Sequence, residues 1–442
     1  MNTDKLSPYG PAGVAQPVFL PVVPPVARMR RHRRNRLLFM LLAISALAFP
    51  AAPAVAGPET AEAELSPIER LGKRIFEDKS LSRPAGVACA SCHDSAQAYQ
   101  GNNGSPIAAL AQGAPPHALG KRNTPTIMYS SFAPPFRFID DRDEKTGAVE
   151  KIPAGGQFYD GRAVDLTAQV EGPLLDPNEM NAPSKRAAVE TIRDGAYASL
   201  ARDVCGDKIF EDPDAAFVKF ATAVAAYESS TRFHPFASKF DDVLRGAARL
   251  TPLEEKGFAL FKNPEKGNCL ACHAGVEKSR EPRDWLFTDF TYDALGAPKN
   301  KLIPATTGPD KEPDLGLCKR PGLAAIAPAG FDVDSLCGAF KVPTLRNVAV
   351  TGPWLHNGVF TKLRDVVAFY ATRDTHPARW YPKAKQKFND LPPNYRDNVN
   401  VEEVPYDRKV GERPRLNEAE IDAIVAFLET LTDRPADYAA KP

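Results

Sequence analysis

Cys89-Ala90-Ser91-Cys92-His93 returns once in the chain, as Cys269-Leu270-Ala271-Cys272-His273. Both are C-x-x-C-H, the attachment pattern of a c-type haem. The spacing has a physical reason. Two cysteines three positions apart reach both vinyl groups of one porphyrin, and the adjoining histidine offers its imidazole to the iron. Half a zinc site and a redox dithiol are the other readings of C-x-x-C. Zinc needs two more ligands close to each pair, and the remaining cysteines of the seven lie far away in sequence.

The approaches to the two motifs also match. Ser66-Pro67-Ile68-Glu69 and Thr251-Pro252-Leu253-Glu254 both read as helix starts, with a hydroxyl N-cap, proline in the first turn and a glutamate reaching back. Gly72 and Phe76 follow in the first, Gly257 and Phe261 in the second, at equal offsets. This is an internal duplication, with one haem expected per unit.

The 442 residues suffice for two or three domains. Residues 1–28 are proline-rich and patternless. From Met29 a signal peptide is expected: a basic run Arg30–Arg36, an apolar run Leu37–Phe49, and cleavage after Ala54-Val55-Ala56. The apolar run is short for a membrane span, so the expected location is the periplasm. Removing the seven basic and one acidic residues before Gly57 leaves a net charge near −5. That balance argues against nucleic acid as a partner; it suits a basic electron carrier or simply a solvated surface. Cys318 and Cys337 share one loop-like stretch where an oxidising compartment permits a disulfide, and Cys205 is left as a buried single thiol.

Along the exported chain, residues 66–78 form a helix into the first motif, and Asn102–Pro125 reads as loop. Asp214 opens a helix with Phe217, Phe220, Ala221, Val224 and Tyr227 on one side. His234–Arg249 is a bridge, 276–339 is irregular, and Leu363–Tyr370 is a short helix. Residues 376–414 read as a surface excursion. Asn417 and Glu420 cap a last helix that buries Ile421, Ile424, Val425 and Leu428. The expected class is mainly α, two tandem cytochrome c-like haem domains with long loops. The expected divisions are 1–56 for the extension and signal, 57–245 for the N-terminal peroxidatic domain and 246–442 for the C-terminal electron-transfer domain.

Further motifs carry a family resemblance. These are Arg122-Asn123-Thr124-Pro125-Thr126, Gln157-Phe158-Tyr159-Asp160-Gly161-Arg162-Ala163, Gln169, Gly172-Pro173 and Glu179-Met180, then Phe340-Lys341-Val342-Pro343-Thr344-Leu345-Arg346-Asn347 and Thr351-Gly352-Pro353-Trp354-Leu355-His356-Asn357-Gly358. The pattern resembles the bacterial dihaem cytochrome c peroxidases and the related MauG proteins, from about Ser66 to the last helix.

The resemblance implies two covalent haem c groups, with His93 and His273 as iron ligands and peroxide handled at the first. It places Glu179 and Gln169 on the distal face there, with Pro173 as a wall. Cleaving a peroxide O–O bond needs a proton moved from the inner to the leaving oxygen. A pocketed carboxylate with a raised pKa can carry it, and a neutral amide can orient the peroxide. Read without the resemblance, Glu179 is a solvated helix-start acid. His117 falls where a gating ligand of the first iron lies in conventional members, although a loop histidine otherwise reads as surface. Tyr370, fourteen residues after His356, matches the position of a distal methionine or, in MauG, a tyrosine at the second iron; read alone it is a packed aromatic. Tyr159 stands where the family places a tryptophan between the haems. The resemblance also implies one calcium ion, held by the Asn123 side chain and the carbonyls of Thr351 and Pro353.

The expected activity is thus a MauG-like peroxidase, a haem oxidoreductase acting on hydrogen peroxide. Its partner is a small cytochrome c or cupredoxin donor, or a protein substrate oxidised in its place. The resemblance also admits a homodimer. The competing reading is a dihaem electron-transfer cytochrome without catalysis.

Overall fold

The motif-leading helices form as their caps dictate. In the computed structural model, which describes residues 65–142, 146–304, 312–382 and 387–435, helix α1 spans Pro67–Phe76, with Ser66 and Glu69 closing a capping box. Other helices include α2 (Lys185–Arg193), α3 (Pro213–Glu228), α4 (Lys239–Leu244), α5 (Pro252–Lys262), α6 (Leu363–Thr372) and α7 (Glu418–Glu429). Thr251/Glu254 and Asn417/Glu420 box α5 and α7 in the same way. Each cap contributes about 1 kcal/mol by satisfying otherwise orphaned helix N–H groups. The cap of α3 is Asp212, with Pro213 at its first turn, so this helix starts one residue before the expected Asp214.

Two helix crossings organise the chain. α1 packs on α3, and α5 packs on α7. Gly72 and Gly257 make the approach possible: a Cβ on either would lie 1.9 Å from the carbonyl oxygen of Ala223 or Ala423. Phe76 then meets Tyr227 edge-on at 5.4 Å, and Phe261 meets Phe427 at 5.4 Å. One apolar core gathers residues from Leu65 to Phe233, and a second gathers residues from Phe240 to Leu431. The second core therefore takes in α4, inside the stretch expected to be a bridge.

All the described residues belong to one compact unit. Arg346 makes two bonds to Asp241, at 2.9 and 3.0 Å, with both side chains fully buried. Asp433 accepts from Tyr129 Oη at 2.9 Å, Asn347 Nδ2 at 2.8 Å and the Ala237 N–H at 2.9 Å. Tyr129 belongs to the first core and Asn347 follows the second haem motif, so this carboxylate ties the halves together.

Mainly α describes the chain, with little sheet. Two features depart from the sequence reading. An antiparallel hairpin pairs β1 (Arg137–Arg142) with β2 (Val149–Ala154), and β3 (Tyr292–Asp293) pairs with β4 (Phe340–Lys341). The stretch 376–414 is not a mere surface excursion: Tyr381, Phe388, Leu391, Val399 and Tyr406 are buried. Cys318 and Cys337 are joined as a disulfide, while Cys205 is half-buried rather than buried. The expected signal peptide and its cleavage site lie outside the described residues. Among the described residues, no helix is long and apolar enough to cross a membrane.

Candidate active site

Each C-x-x-C-H begins as a tight turn that turns its side chains inward. Cys89–Cys92 form one helical turn, held by the Ala88 N–H to Ser91 Oγ at 3.0 Å. Cys269–Ala271 form the equivalent turn. Cys89, Cys92, Cys269 and Cys272 are all unpaired. They line one continuous cavity of about 810 Å³ together with His93 and His273. His93 Nδ1 lies 3.0 Å from the Tyr99 carbonyl, and His273 Nδ1 lies 3.0 Å from the Phe287 carbonyl. A carbonyl only accepts, so Nδ1 carries the proton and Nε2 keeps its lone pair for a metal. Burial lowers both imidazoles' basicity, His273 to about 4, which keeps them neutral.

These groups fit haem and fit the other readings poorly. Burial pushes the Cys89, Cys92 and Cys269 thiols up to about 12. A redox dithiol needs the opposite shift. Among the described residues, no group of three or more His, Cys, Asp or Glu side chains is placed to hold a metal ion, as a zinc site would require.

The first crevice brings Glu179, Gln169 and Pro173 into the same cavity wall as His93. Glu179 is half-buried after the turn at Asp176, its N–H bonded to the Asp176 carbonyl at 3.0 Å. Burial and the Asp176 carboxylate push its acid up to about 7, against the pull of Arg162. Gln169 ends the short helix Leu166–Gln169, which Asp165 caps. His117 is not brought in. It is exposed and does not line the cavity. Its loop closes on itself through the Gly113 N–H to the Ala118 carbonyl, with His117 at a φ of 64°.

In the second crevice Tyr370, on α6, faces the cavity. Burial first, then the fields of Asp293, Cys272 and Cys269, hold its phenol well above its ordinary range. It lines the same cavity as Cys269, Cys272 and His273. Tyr159 lines the same cavity, and burial holds its phenol above its ordinary range. The Asn123 amide lies 2.6 Å from the Pro353 carbonyl and 3.3 Å from the Leu355 carbonyl. Gln100 Nε2 is 3.4 Å from Asn123 Oδ1, and Gln100 Oε1 is buried without a partner.

The profile of the family described as Di-haem cytochrome c peroxidase matches residues 67–249. The methylamine utilization protein MauG of Paracoccus denitrificans is 38% identical, over 86% of this chain and 92% of its own. The chain belongs to the dihaem cytochrome c peroxidase and MauG family. The cytochrome c551 peroxidase of Nitrosomonas europaea is 26% identical, over 87% of this chain and 89% of its own. The dihaem peroxidase BthA from Burkholderia thailandensis, solved as a variant, is 39% identical, with a TM-score of 0.78, covering 84% of this chain and 87% of that one.

Two cavity residues of this family member escaped the sequence reading. Tyr406 is buried in the second crevice, its ring 5.8 Å from that of Tyr370. It sits among prolines and charges with no periodicity to flag it. Glu228 is buried at the end of α3 in the first crevice. Its signal was present: the matching residue of α7 is Leu428.

Proposed function

We propose that this family member is a periplasmic dihaem c-type peroxidase of the MauG-like branch, built as two tandem cytochrome c-like haem domains dividing near 245. Cys89, Cys92 and His93 would hold the first haem; Cys269, Cys272, His273 and Tyr370 would hold the second. When bound, the haems supply an open iron coordination site for hydrogen peroxide and storage for oxidising equivalents.

The chain's own residues do the rest. Glu179, poised near neutrality, takes the proton from the inner peroxide oxygen and returns it to the leaving one. Gln169 orients the peroxide through its amide, and Pro173 limits the space around it. Tyr159, which lines the same cavity, would act as a relay between the haems, its oxidation moving the phenolic proton with the electron. Tyr370 offers a hard anionic donor that suits oxidised iron. Calcium would sit at Asn123 and the Pro353 carbonyl. The residues fit an oxygen-only set completed by water, and the orphaned Gln100 Oε1 is the buried acceptor such a site leaves. Beside Asn123 the structure brings in Leu355; Thr351 lines the same cavity.

The observation that carries this reading is the convergence of Glu179, Gln169 and a neutral His93 on one cavity that His117 does not enter. The experiment is an electron paramagnetic resonance spectrum of the oxidised protein, followed by peroxide without reductant. A high-spin signal that reacts at once is the expected result. Two low-spin haems that react only after half-reduction would restore His117 as a gate. No reaction in either state would make the protein an electron-transfer cytochrome.

The identity to a MauG protein supports a protein substrate giving up electrons through the second unit. The peroxidase relatives support a small cytochrome c or cupredoxin in that place. Turnover of candidate proteins with peroxide separates the two.

A further inference from the structure

The two helix crossings share one register, set by Gly72 against Ala223 and Tyr227 and by Gly257 against Ala423 and Phe427. Val224 therefore matches Ile424, and both line the cavity. One residue beyond the aromatic, Leu428 lines the second crevice and Glu228 lines the first. Where one unit keeps leucine against its haem crevice, the other keeps an acid.

Among the described residues nothing pairs with Oε2 of this acid. Glu228 is 4% exposed, and its Oε2 is buried without a hydrogen-bond partner. Burial alone pushes it up to about 8, so it is neutral at neutral pH. The elements packed on α3 are α1, α2, the Leu166–Gln169 helix and the Ser130–Phe132 turn; no charged group on any of them shifts it. Arg232 and Glu77 act on the neighbouring Tyr227 instead. The field of Glu228 is felt by the Cys89 thiol, which also senses Cys92 and Glu179. An unpaired buried carboxyl is costly to ionise. A positive charge gained in the crevice would lower that cost by direct attraction.

We propose that Glu228 is a redox-linked proton site of the first haem: its carboxyl releases a proton when that haem loses an electron and rebinds one when the electron returns. The electron leaves to, or arrives from, the redox partner. The proton exchanges with solvent, and the net charge of the crevice is unchanged. The second unit, with Leu428, has no such group at this position. The inference rests on haem occupying the first crevice.

The test is spectroelectrochemistry of the holoprotein between pH 5.5 and 9, for the parent, Glu228→Gln, Glu228→Leu and the reciprocal Leu428→Glu. In the parent, each tenfold fall in proton concentration should lower the first-haem midpoint, by at most about 59 mV for one electron. Oxidised-minus-reduced infrared spectra should show loss of a protonated carboxyl band. Both effects should vanish in Glu228→Gln and Glu228→Leu, and Leu428→Glu should create the slope at the second haem. An unchanged slope and band in Glu228→Gln would overturn the proposal. Haem content by pyridine haemochrome on the same samples tests occupancy separately, and two haems per chain with no slope in the parent would also overturn it.

Discussion

At the scale of single residues, two acids, Glu179 and Glu228, line the cavity, both pushed above the usual carboxylate range by burial. Glu179 stands near His93 with its pKa pushed up to about 7. Glu179→Gln should slow the reaction with peroxide about 10²-fold or more, while leaving two haems attached; stopped-flow absorbance measures both. The sign of the pH dependence follows from the first step. The bare carboxylate accepts the proton, so the bimolecular rate should rise with pH and level off above about 7. Tyr370→Phe should leave the second haem attached but change its absorption and raise its reduction potential, because an anionic donor is lost. The C-x-x-C-H residues could be picked out because covalent haem attachment would demand a fixed spacing, and Tyr370 because the family pattern fixes an offset; what the structure adds is that all of them line one cavity. Glu228 was not, because a lone glutamate at a helix end looks like any solvated acid until the helix is seen packed. His117 shows the reverse. Its place in the sequence suits a ligand, but the loop's own hydrogen bonds turn it outward.

At the scale of elements, the strongest sequence signals were the helix starts, and for a local reason. A capping box is written within four residues and owes nothing to the rest of the chain. The β1–β2 hairpin escaped because its strands, Arg-Phe-Ile-Asp-Asp-Arg and Val-Glu-Lys-Ile-Pro-Ala, are largely exposed and lack a clean alternation. The 376–414 stretch escaped because its buried residues, though most share one cluster, are spaced irregularly among prolines and charges. The helix crossings give a direct test. Gly72→Ala and Gly257→Ala each place a methyl against a backbone carbonyl that cannot move away cheaply. Each should cost about 1–3 kcal/mol, read as a lower thermal midpoint of the holoprotein.

At the scale of the whole molecule, the Asp433 network ties the halves together and the Asp241–Arg346 pair braces the second core; neither could be read from sequence because their members lie about 100 to 300 residues apart. Burial works against ionised Asp241, but Arg346 and Ser238 outweigh it and hold the carboxyl below its usual range. Its folded pKa is lowered, so its contribution is present at neutral pH and is lost as pH falls through that value. Arg346→Leu would leave the carboxylate buried and unpaired, at a cost of about 3–5 kcal/mol, visible in chemical denaturation at pH 7. Calcium removal belongs to this scale too. A chelator should slow peroxide turnover and shift both haem spectra, and Asn123→Ala should reproduce the effect without it.

The Cys318–Cys337 disulfide sets a condition on how the protein is made. With both haems attached as proposed, four thiols must stay reduced until porphyrin reaches them, while Cys318 and Cys337, fewer than seventy positions beyond the second pair, must oxidise. Maturation is therefore a race between opposite sulfur chemistries on one nascent polypeptide. An oxidant arriving first would lock Cys269 or Cys272 to the wrong mate and leave a folded-looking product with only its first haem.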